Sequence, residues 1–403
     1  MSSTTAVCVV GGGPAGMMAG LLMARQGLRV TVLEKHADFL RDFRGDTIHP
    51  STLTLLDELG LLDEFLQLAH SRMERVGVRF GQTDVTLADF TKLPGPAGYV
   101  AFVPQWHFLN FLSDHARTLD GFTLHMSAEV AGLQRDTTTG RVLGVDYRHA
   151  GRTARLDADL VIAADGRHST VRGLLGLQPR ITGPGMDVLW FRLPRQQGES
   201  LPLFHGGDGA LICINRNEYW QIAFALAPGG ADQLKTMGVA QFRTRVARLA
   251  PSLRSRLEQV RSWDEVFLLR ARIDRLDRWD KDGVLLIGDA AHAMSPAGGV
   301  GINLAIQDAV ATARILGTEL TQETADSVLE PLDLDVIRRR RELPVQITQA
   351  FQARLAKGII ESSQGTQPIR TPLALEALKQ IPGSAHLMGR FIGLGVRPER
   401  FDR

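Results

Sequence analysis

Glycines near the start of the chain have the spacing that phosphate binding requires. Gly11, Gly13 and Gly16 form the pattern GxGxxG within the stretch VVGGGPAGMMAG. The first glycine allows a tight turn, the second lets a pyrophosphate approach the backbone, and the third lets a helix pack closely on a strand. The amides at the start of that helix then face the phosphates with their partial positive charge. The pattern therefore predicts a dinucleotide site.

A carboxylate follows this turn where ribose recognition requires one. Glu34 lies at the end of the next apolar run, LRVTVLEK. A carboxylate at this place accepts hydrogen bonds from ribose hydroxyls and repels a 2′-phosphate, so NADP is disfavoured in this site. The motif by itself does not distinguish FAD from NAD.

The elements that carry these residues form a βαβ unit. Residues 5–10 and 28–35 are short apolar runs typical of buried strands, and residues 15–27 between them have helical spacing that ends at Gly27. A later run, LDADLVIAADG, predicts another buried strand that ends in Asp-Gly. These elements indicate a parallel sheet with helices packed on it.

From about residue 180 the character of the sequence changes. The runs MDVLWFRLP, GALICINR and EYWQIAFALAP predict strands without intervening helices, which is typical of an antiparallel sheet. We therefore expect an α/β fold in which a Rossmann-like nucleotide-binding domain is interleaved with a mostly antiparallel-sheet substrate domain, followed by a helical C-terminal tail. The predicted boundaries assign residues 1–75, 100–178 and 275–330 to the first domain, residues 76–99 and 179–274 to the second, and residues 331–403 to the tail.

Composition restricts the class of protein. The chain has 403 residues, of which 44% are hydrophobic, and a net charge of +2, which predicts an ordinary soluble globular protein of two or three domains. The basic run at residues 338–341 is expected to be a solvated helix face and not a nucleic-acid site. No stretch reaches the roughly 20 apolar residues of a membrane span, and nothing resembles a signal peptide. We expect a cytoplasmic protein, monomeric or homodimeric.

Several kinds of chemistry find no support in the sequence. The two cysteines, Cys8 and Cys213, are not spaced as a pair, so we expect no disulfide framework, cysteine zinc site or thiol redox centre. No histidine–carboxylate spacing indicates a metal site, and no GxSxG elbow is present. We therefore expect neither a metal nor a covalent nucleophile.

Two later stretches give the chain a resemblance to a known family. DLVIAADGRHSTVRGLLG at residues 159–176 and GVLLIGDAAHAMSPAGGVGINLAIQDA at residues 283–309 resemble the DG and GD motifs of single-component FAD-dependent aromatic hydroxylases, the para-hydroxybenzoate hydroxylase-like (group A) flavoprotein monooxygenases. With the glycine motif in front, all three motifs stand in the order of that family. The resemblance implies non-covalent FAD, NAD(P)H as co-substrate, and hydroxylation of an aromatic or polyketide-like small molecule by O2 through a flavin C4a-hydroperoxide.

The resemblance also implies which residues hold the cofactor. FRGDTIHPSTLTLL resembles the segment whose arginine, here Arg44, reaches the cofactor, and VPQWHFLNFL resembles the segment whose glutamine, here Gln105, touches the ribityl chain. Asp289 ends an apolar run and is expected to bind ribityl hydroxyls, and amides of the stretch that begins at Pro296 would stabilise negative charge on reduced flavin. The family places Asp165 near the pyrophosphate. The predicted cofactor-binding set is Gly11, Gly13, Pro14, Ala15, Gly16, Glu34, Lys35, Arg44, Gln105, Val130, Asp165, Asp289, Pro296, Gly299, Gly301, Ile302 and Asn303.

Catalytic and substrate-binding candidates are fewer. Arg44 is expected to act electrostatically near the cofactor, and His49 is a candidate acid or base whose alternative role is packing. Trp190, Arg192 and Gln221 lie on the predicted sheet that would cover the substrate, and core or surface positions are the alternatives. The chain has three tyrosines, none of them in its C-terminal half beyond residue 219, so the tyrosine network of the founding hydroxylase is not expected.

Two other functions remain open on the sequence. A flavin reductase or dehydrogenase of related fold would share the three motifs without oxygen transfer. A flavin-holding accessory protein would bind a ligand without turnover. A halogenase is less compatible, because no WxWxIP-like tryptophan pair is present.

Overall fold

The computed structural model describes residues 3–40, 47–322, 332–363 and 380–401. Most strands are short and rich in β-branched and aromatic residues, as expected for pleated, half-buried surfaces. In chain order the strands are β1 (Ser3–Val10), β2 (Val30–Leu33), β3 (Thr47–Ile48), β4 (Ser71–Met73), β5 (Arg75–Phe80), β6 (Thr83–Asp89), β7 (Val100–Phe102), β8 (Phe122–His125), β9 (Ala128–Arg135), β10 (Val142–His149), β11 (Arg152–Ala163), β12 (Arg180–Pro194), β13 (Phe204–Gly207), β14 (Gly209–Asn215), β15 (Tyr219–Leu226), β16 (Phe267–Arg275), β17 (Asp280–Lys281) and β18 (Val284–Leu286).

The helices lie between these strands and after them. Within the described ranges, no helix is at once long enough and apolar enough to cross a bilayer. The helices are α1 (Pro14–Arg25), α2 (Pro50–Glu58), α3 (Leu62–Phe65), α4 (Gln105–Arg117), α5 (Thr170–Leu174), α6 (Gly230–Met237), α7 (Val239–Leu249), α8 (Gly301–Thr312), α9 (Thr318–Gln322), α10 (Asp335–Ser363) and α11 (Ser384–Leu394).

The first sheet carries the motif residues at one edge. It has eight strands, and its central part runs β18-β11-β1-β2-β8 with all neighbours parallel. Val10 lies opposite Leu33 on one side and Ala163 on the other. Because parallel strands end at the same edge, the residues that follow β1, β2 and β11 lie side by side. Ligands bind at this edge in open α/β sheets.

Helix α1 packs on the first sheet through small and flexible side chains. Met17 and Met18 are fully buried, and each such side chain contributes about 1.5–3 kcal/mol when it leaves water. Gly20 permits the close approach, since a Cβ at this position would lie 2.9 Å from Cγ2 of Val32. The helix start at Gly13 is thereby held against the carboxyl end of β1.

The second sheet presents one face to helices and the other to a cavity. It has seven strands in the order β16-β12-β15-β14-β13-β5-β6, antiparallel except for the pair β13–β5. Side chains alternate along each strand, so Leu189 and Phe191 pack with Phe242 of α7, whereas Val188 and Trp190 point to the opposite side.

The predicted α/β fold with parallel and antiparallel sheets and a helical C-terminal region is confirmed. The second sheet takes its strands from residues 75–89, 180–226 and 267–275. The division of the chain into two interleaved domains at the predicted boundaries remains our proposal.

Helix α10 joins the two sheets. It runs through Pro344 without ending there, and its Gln349 donates from Nε2 to the carbonyl oxygens of Asp274 at 2.8 Å and Ala293 at 3.2 Å. Asp274 belongs to the second sheet, and Ala293 follows the last strand of the first. One side chain thus connects both sheets to the helix.

The basic run is not the solvated face that the sequence predicts. Arg338, Arg339 and Arg340 keep partial exposure, but the Arg341 side chain is only 1% exposed. Its Nε donates to Asp308 Oδ1 at 3.0 Å, and its Nη1 lies 3.4 Å from Glu399 Oε1. The prediction failed at this position because two buried carboxylates from distant parts of the chain converge on it.

We expect Arg341→Ala to lower the free energy of unfolding by about 3–5 kcal/mol, because it removes the arginine from the buried Asp308, which keeps His292, and one of the three arginines around the buried Glu399. Urea unfolding followed by circular dichroism measures this loss. Arg339→Ala on the same helix is the control, since that side chain is 53% exposed and an exposed pair contributes only about 0–1 kcal/mol. Equal losses in the two variants would show that the buried cluster is not a stabilising centre.

Candidate functional site

One continuous cavity touches both sheets. Its volume is about 1280 Å³, and its lining combines the carboxyl edge of the first sheet with the inner face of the second. Gly11, Glu34 and Asp165 lie on the first side, and Val188 and Trp190 lie on the second. Residues that sequence patterns assigned to separate tasks therefore share one space.

The glycine turn is built as the motif predicts. Gly11 has a φ of +104°, and a Cβ there would lie 2.6 Å from the carbonyl oxygen of Ala164. A Cβ on Gly16 would collide with the carbonyl oxygen of Gly11, so this glycine serves helix packing and does not line the cavity. A Cβ on Gly13 would meet no protein atom within 4 Å. The space in front of Gly13 is therefore available to a ligand.

Glu34 is held in one orientation at the end of β2. Its Oε2 accepts a hydrogen bond from the Gly12 amide at 2.8 Å, and its Oε1 accepts one from the His36 amide at 3.0 Å. The residue is 7% exposed and lines the cavity. A carboxylate oxygen has a second lone pair beyond the one used here, so a ribose hydroxyl can still donate to it.

The DG turn leaves polar atoms buried without protein partners. Asp165 Oδ2 accepts from the Val171 amide at 3.1 Å, whereas Asp165 Oδ1 and Arg167 Nη1 are buried and unsatisfied. Burial raises the pKa of the Asp165 carboxyl, although hydrogen bonds from Ser169 and nearby amides oppose that effect. Buried polar atoms are almost always paired in native proteins. A ligand with hydroxyl and phosphate groups would satisfy these two atoms, so the residues fit FAD.

The GD turn lies next to the DG turn. Asp289 Oδ2 accepts from Arg167 Nη2 at 3.3 Å, and Arg172 Nη1 donates to the carbonyl oxygen of Ala290 at 3.0 Å. Ser169 caps α5 by accepting from the Arg172 amide at 2.9 Å. The two turns are thus connected by Arg167 of the DG turn and Arg172 of α5, and Asp289 lies at the cavity wall.

A glutamine of α10 holds the loop that leads into α8. Gln352 is fully buried; its Oε1 accepts from the Ser295 amide at 3.0 Å, and its Nε2 donates to the carbonyl oxygens of Ser295 and Ala297 at 2.9 Å each. Gly298 and Gly299 have φ values of +83° and +62°, which only glycine adopts readily. The loop and the positive end of α8 therefore face the cavity in a fixed shape.

His49 and Asn303 connect elements around this loop. The His49 amide donates to Asn303 Oδ1 at 2.9 Å, and His49 Nδ1 lies 2.8 Å from the carbonyl oxygen of Ile392. Asn303 also donates from Nδ2 to the Thr47 carbonyl oxygen at 3.0 Å and accepts from Thr52 at 2.8 Å. The Asn303 side chain is used inside the protein, and Asn303 does not line the cavity; its cofactor contact, expected through an amide at the start of α8, stays a prediction.

The second-sheet side of the cavity is an apolar chamber. Trp190, a predicted substrate contact, lines this chamber. The walls of the chamber are formed by strands of the second sheet, including the β5–β6 hairpin, and by helices α10 and α11. The apolar lining residues of this part are Met73, Val76, Val78, Leu87, Phe90, Val100, Phe102, Met186, Val188, Trp190, Ile212, Ile214, Leu269, Phe351, Leu355, Ile359, Met388 and Ile392.

Arg192 and Gln221 do not reach this chamber. They face each other in the register of β12 and β15, two residue pairs beyond Trp190 and Ala223. Arg192 is exposed and stacks over the ring of Tyr219, and Gln221 accepts from Arg216 Nε at 3.0 Å. The two residues share the inner face with Trp190, but the cavity ends before them.

Most of the predicted site residues that the structure describes line the cavity. Arg44 lies outside the described residues, so its predicted roles stay untested. The predicted residues that do line the cavity are Gly11, Gly13, Pro14, Ala15, Glu34, Lys35, His49, Gln105, Val130, Asp165, Asp289, Pro296, Gly299, Gly301 and Ile302.

The contribution of α10 and α11 to the cavity was not predicted from the sequence. Phe351, Leu355 and Ile359 recur every four residues and line the chamber. That spacing indicates a helix with an apolar stripe, but it does not say what the stripe covers. Both thiols are buried, and burial raises the pKa of Cys8 to about 12, which disfavours the thiolate form.

The fold and this edge of the first sheet define a dinucleotide-binding flavoprotein. The family described as FAD binding domain matches residues 4–341. The chain belongs to this family of FAD-dependent monooxygenases, as its three motifs predict. It is accordingly an FAD-dependent enzyme of the hydroxylase class.

Several characterised proteins resemble the chain over most of its length. 6-Methylpretetramide 4-monooxygenase of Streptomyces rimosus is 35% identical over 407 residues, which cover 99% of this chain and 95% of that protein. Rifampicin monooxygenase of Streptomyces venezuelae is 29% identical over 407 residues, covering 97% and 79% of the two chains. The structure of OxyS anhydrotetracycline hydroxylase from Streptomyces rimosus has the same fold, with a TM-score of 0.74 at 24% identity over 98% of this chain and 77% of that one.

We expect Gly13→Ala to weaken FAD binding at least about tenfold, or about 1.4 kcal/mol, while the apo-protein keeps its Tm. The backbone at Gly13 has φ −74° and ψ −178°, which alanine adopts without strain, and the added methyl meets only the space in front of the turn. Fluorescence titration of apo-protein with FAD measures the Kd. Gly173→Ala is the matched control, since its Cβ also meets nothing within 4 Å and the residue does not line the cavity. An unchanged Kd in Gly13→Ala would remove this glycine from the pyrophosphate site.

We expect His49 to give the stability of the protein a pH dependence. Burial lowers the pKa of His49 to about 4 from the ordinary 6.5. As the pH falls, His49 is therefore protonated near pH 6.5 in the unfolded chain but only near pH 4 in the folded protein. The free energy of unfolding is then highest above pH 6.5 and falls towards pH 4 by about 1.4 kcal/mol per pH unit for this group.

Urea unfolding of wild type and His49→Asn tests this pH dependence. It is measured at a constant excess of FAD between about pH 4.5 and 7, the range that these pKa values define. Burial also lowers the pKa of His205 to about 4, so the variant should keep roughly half of the slope that the two histidines produce. An identical slope in both proteins would mean that His49 is not buried as a neutral ring.

Proposed function

We propose that this enzyme uses NAD(P)H and O2 to hydroxylate a planar, multi-ring aromatic molecule of polyketide type. The observation that carries the proposal is the continuity of the cavity, which joins the edge that fits FAD to the apolar chamber under the second sheet. A substrate in the chamber would lie directly against the cofactor, as oxygen transfer requires.

The size of the cavity supports a large substrate. Pockets for drug-sized molecules have volumes of about 300–1000 Å³, and this cavity has about 1280 Å³. The space therefore accommodates a second molecule beside the cofactor. Since the chamber lining is almost entirely apolar and includes Phe90, Phe102 and Trp190, fused aromatic rings match it better than a small phenol.

We assign the cofactor-holding roles as follows. The turn at Gly11 and Gly13 receives the pyrophosphate with the amides at the start of α1, and Glu34 accepts from the adenosine ribose. Asp289 accepts from ribityl hydroxyls, and the amides at the start of α8 stabilise negative charge on the isoalloxazine ring. When bound, FAD supplies the redox and oxygen chemistry.

The protein's own task is to position the substrate and exclude water. Buried apolar walls keep the reacting region dry, which strengthens the electrostatic effect of the α8 amides. The net reaction converts an aromatic C–H, O2, NAD(P)H and a proton into C–OH, water and NAD(P)+. Nothing in it requires a covalent protein nucleophile, in agreement with the buried thiols.

The names of the relatives support the substrate class. The relatives named for 6-methylpretetramide and rifampicin act on polyketide-type compounds, and the chain spans nearly all of the first. Compounds of this type agree with the volume of the cavity and with its apolar chamber.

We expect the purified protein to be yellow because it holds non-covalent FAD. It should oxidise NADH or NADPH faster when a polycyclic phenol is present. One atom of labelled O2 should appear in the product. Mass spectrometry of the product under 18O2 is the decisive measurement. Asp289→Ala should lose most of its flavin, because an unfilled contact in a buried polar site is costly, and with it the oxygen consumption. Product without label would favour a reductase or dehydrogenase, and bound FAD with no turnover of any kind would favour an accessory protein.

A further inference from the structure

Helix α10 presents one mixed face to the cavity. Phe351, Arg354, Gly358 and Glu361 are separated by three or four residues, which places them on one side of the helix, and all of them line the cavity. The neighbouring face, with Gln352 and Ala356, is fully buried against the protein. An arginine, a glutamate and a glycine thus border a largely apolar chamber.

Arg354 differs from every other cation of this helix. The remaining five each pair with a carboxylate, whereas among the described residues no carboxylate lies within 4 Å of the Arg354 guanidinium. Glu361, two turns along the same face, pairs instead with Lys357 at 3.8 Å. The paired cations of α10 are Arg338, Arg339, Arg340, Arg341 and Lys357.

Gly358 lies one turn after Arg354 and leaves a gap in the helix face. Glycine inside a helix is unfavourable relative to alanine, and the backbone of Gly358 does not use a positive φ that would require it. A Cβ at this position would meet no protein atom within 4 Å. Gly358 is exposed and also lines the cavity, and neither backbone strain nor protein packing accounts for its missing side chain.

We propose that Arg354 and the gap at Gly358 form a substrate subsite that receives an ionised ring hydroxyl, a phenolate or enolate oxygen, of a fused-ring substrate. This inference rests on the proposed function and adds the chemical class of the recognised group. The gap lets the edge of a flat ring approach the helix backbone, and the guanidinium then lies beside an oxygen attached to that ring.

The recognised charge also suits the reaction. An ionised hydroxyl raises the electron density on the ring carbons ortho and para to it, and these are the carbons that an electrophilic oxygen attacks. Arg354 is exposed and lines the cavity, so a charge-assisted hydrogen bond from it would hold the anion on the solvent-accessible side of the apolar chamber. Arg354 is in this sense a specificity-determining and positioning residue.

Binding of three probes to the FAD-loaded enzyme tests the proposal. Alizarin is a dihydroxyanthraquinone whose absorption moves to longer wavelength when its hydroxyl ionises, anthraquinone lacks the hydroxyls, and an anthraquinone carboxylate carries a different anion. Each is titrated into wild type, Arg354→Gln, Arg354→Lys and Lys357→Gln, and the spectrum of bound alizarin is recorded at a mildly acidic pH at which free alizarin is neutral. Lys357→Gln is the matched control, because it removes a charge of the same sign, one turn away, from a side chain that is 73% exposed and does not line the cavity.

We expect wild type to bind alizarin in its long-wavelength form. Arg354→Gln should weaken alizarin binding about tenfold, as for the loss of a hydrogen bond to a charged group, and should lose the spectral shift, while anthraquinone affinity changes by less than about twofold. Arg354→Lys should recover the shift, and Lys357→Gln should behave as wild type. Gly358→Ala should keep or raise the Tm but weaken alizarin and anthraquinone alike, because it fills space without removing charge.

Three results would overturn the proposal. The first is an unchanged spectrum and affinity of alizarin in Arg354→Gln, and the second is a wild type that binds anthraquinone as tightly as alizarin or binds neither compound. The third is a wild type that prefers the anthraquinone carboxylate to alizarin. None of these depends on turnover. FAD content and 18O incorporation are measured separately, so a failure of the subsite is distinguishable from a failure of the proposed hydroxylation.

Discussion

The buried carboxylate of Asp308 holds the two halves of the site together. Its Oδ2 accepts from the Gly288 amide at 3.1 Å and from His292 Nε2 at 2.6 Å, and its Oδ1 accepts from Arg341 at 3.0 Å. Burial would raise the pKa of this group, but His292 and Arg341 outweigh it and the pKa is lowered. A fully buried anion is tolerated only with such partners. The loop that carries Asp289 and the helix α10 are therefore fixed to the same atom group.

This connection explains why one helix serves two surfaces of the cavity. From Arg341 onwards, α10 passes the first sheet, holds the loop before α8 through Gln352, and then covers the chamber with Phe351, Leu355 and Ile359. A shift of the helix would move the polar and apolar walls together. The distance between them is set by side chains that lie outside every recognisable motif.

Local constraints could be predicted from the sequence, and long-range ones could not. The turn at Gly11 and the carboxylate of Glu34 follow from short-range spacing, and the structure places both as expected. Arg192 and Gln221 show the limit of such predictions. Alternation along a strand predicts which face a side chain lies on, but the length of the cavity depends on the elements that pack against that face. Arg341 shows another, since its burial depends on Glu399, far along the chain.

The order of strands in the second sheet has a consequence for protein engineering. Strand β13 pairs with β5 in parallel, so the sheet is completed only when the segment after β12 meets a hairpin that precedes it by a large part of the chain. Such non-local pairing slows folding. It also means that a chimera carrying only the later strands from a relative would place a foreign edge against the native β5–β6 hairpin. Exchange of substrate preference between family members by recombination therefore requires two crossover segments to be moved at once.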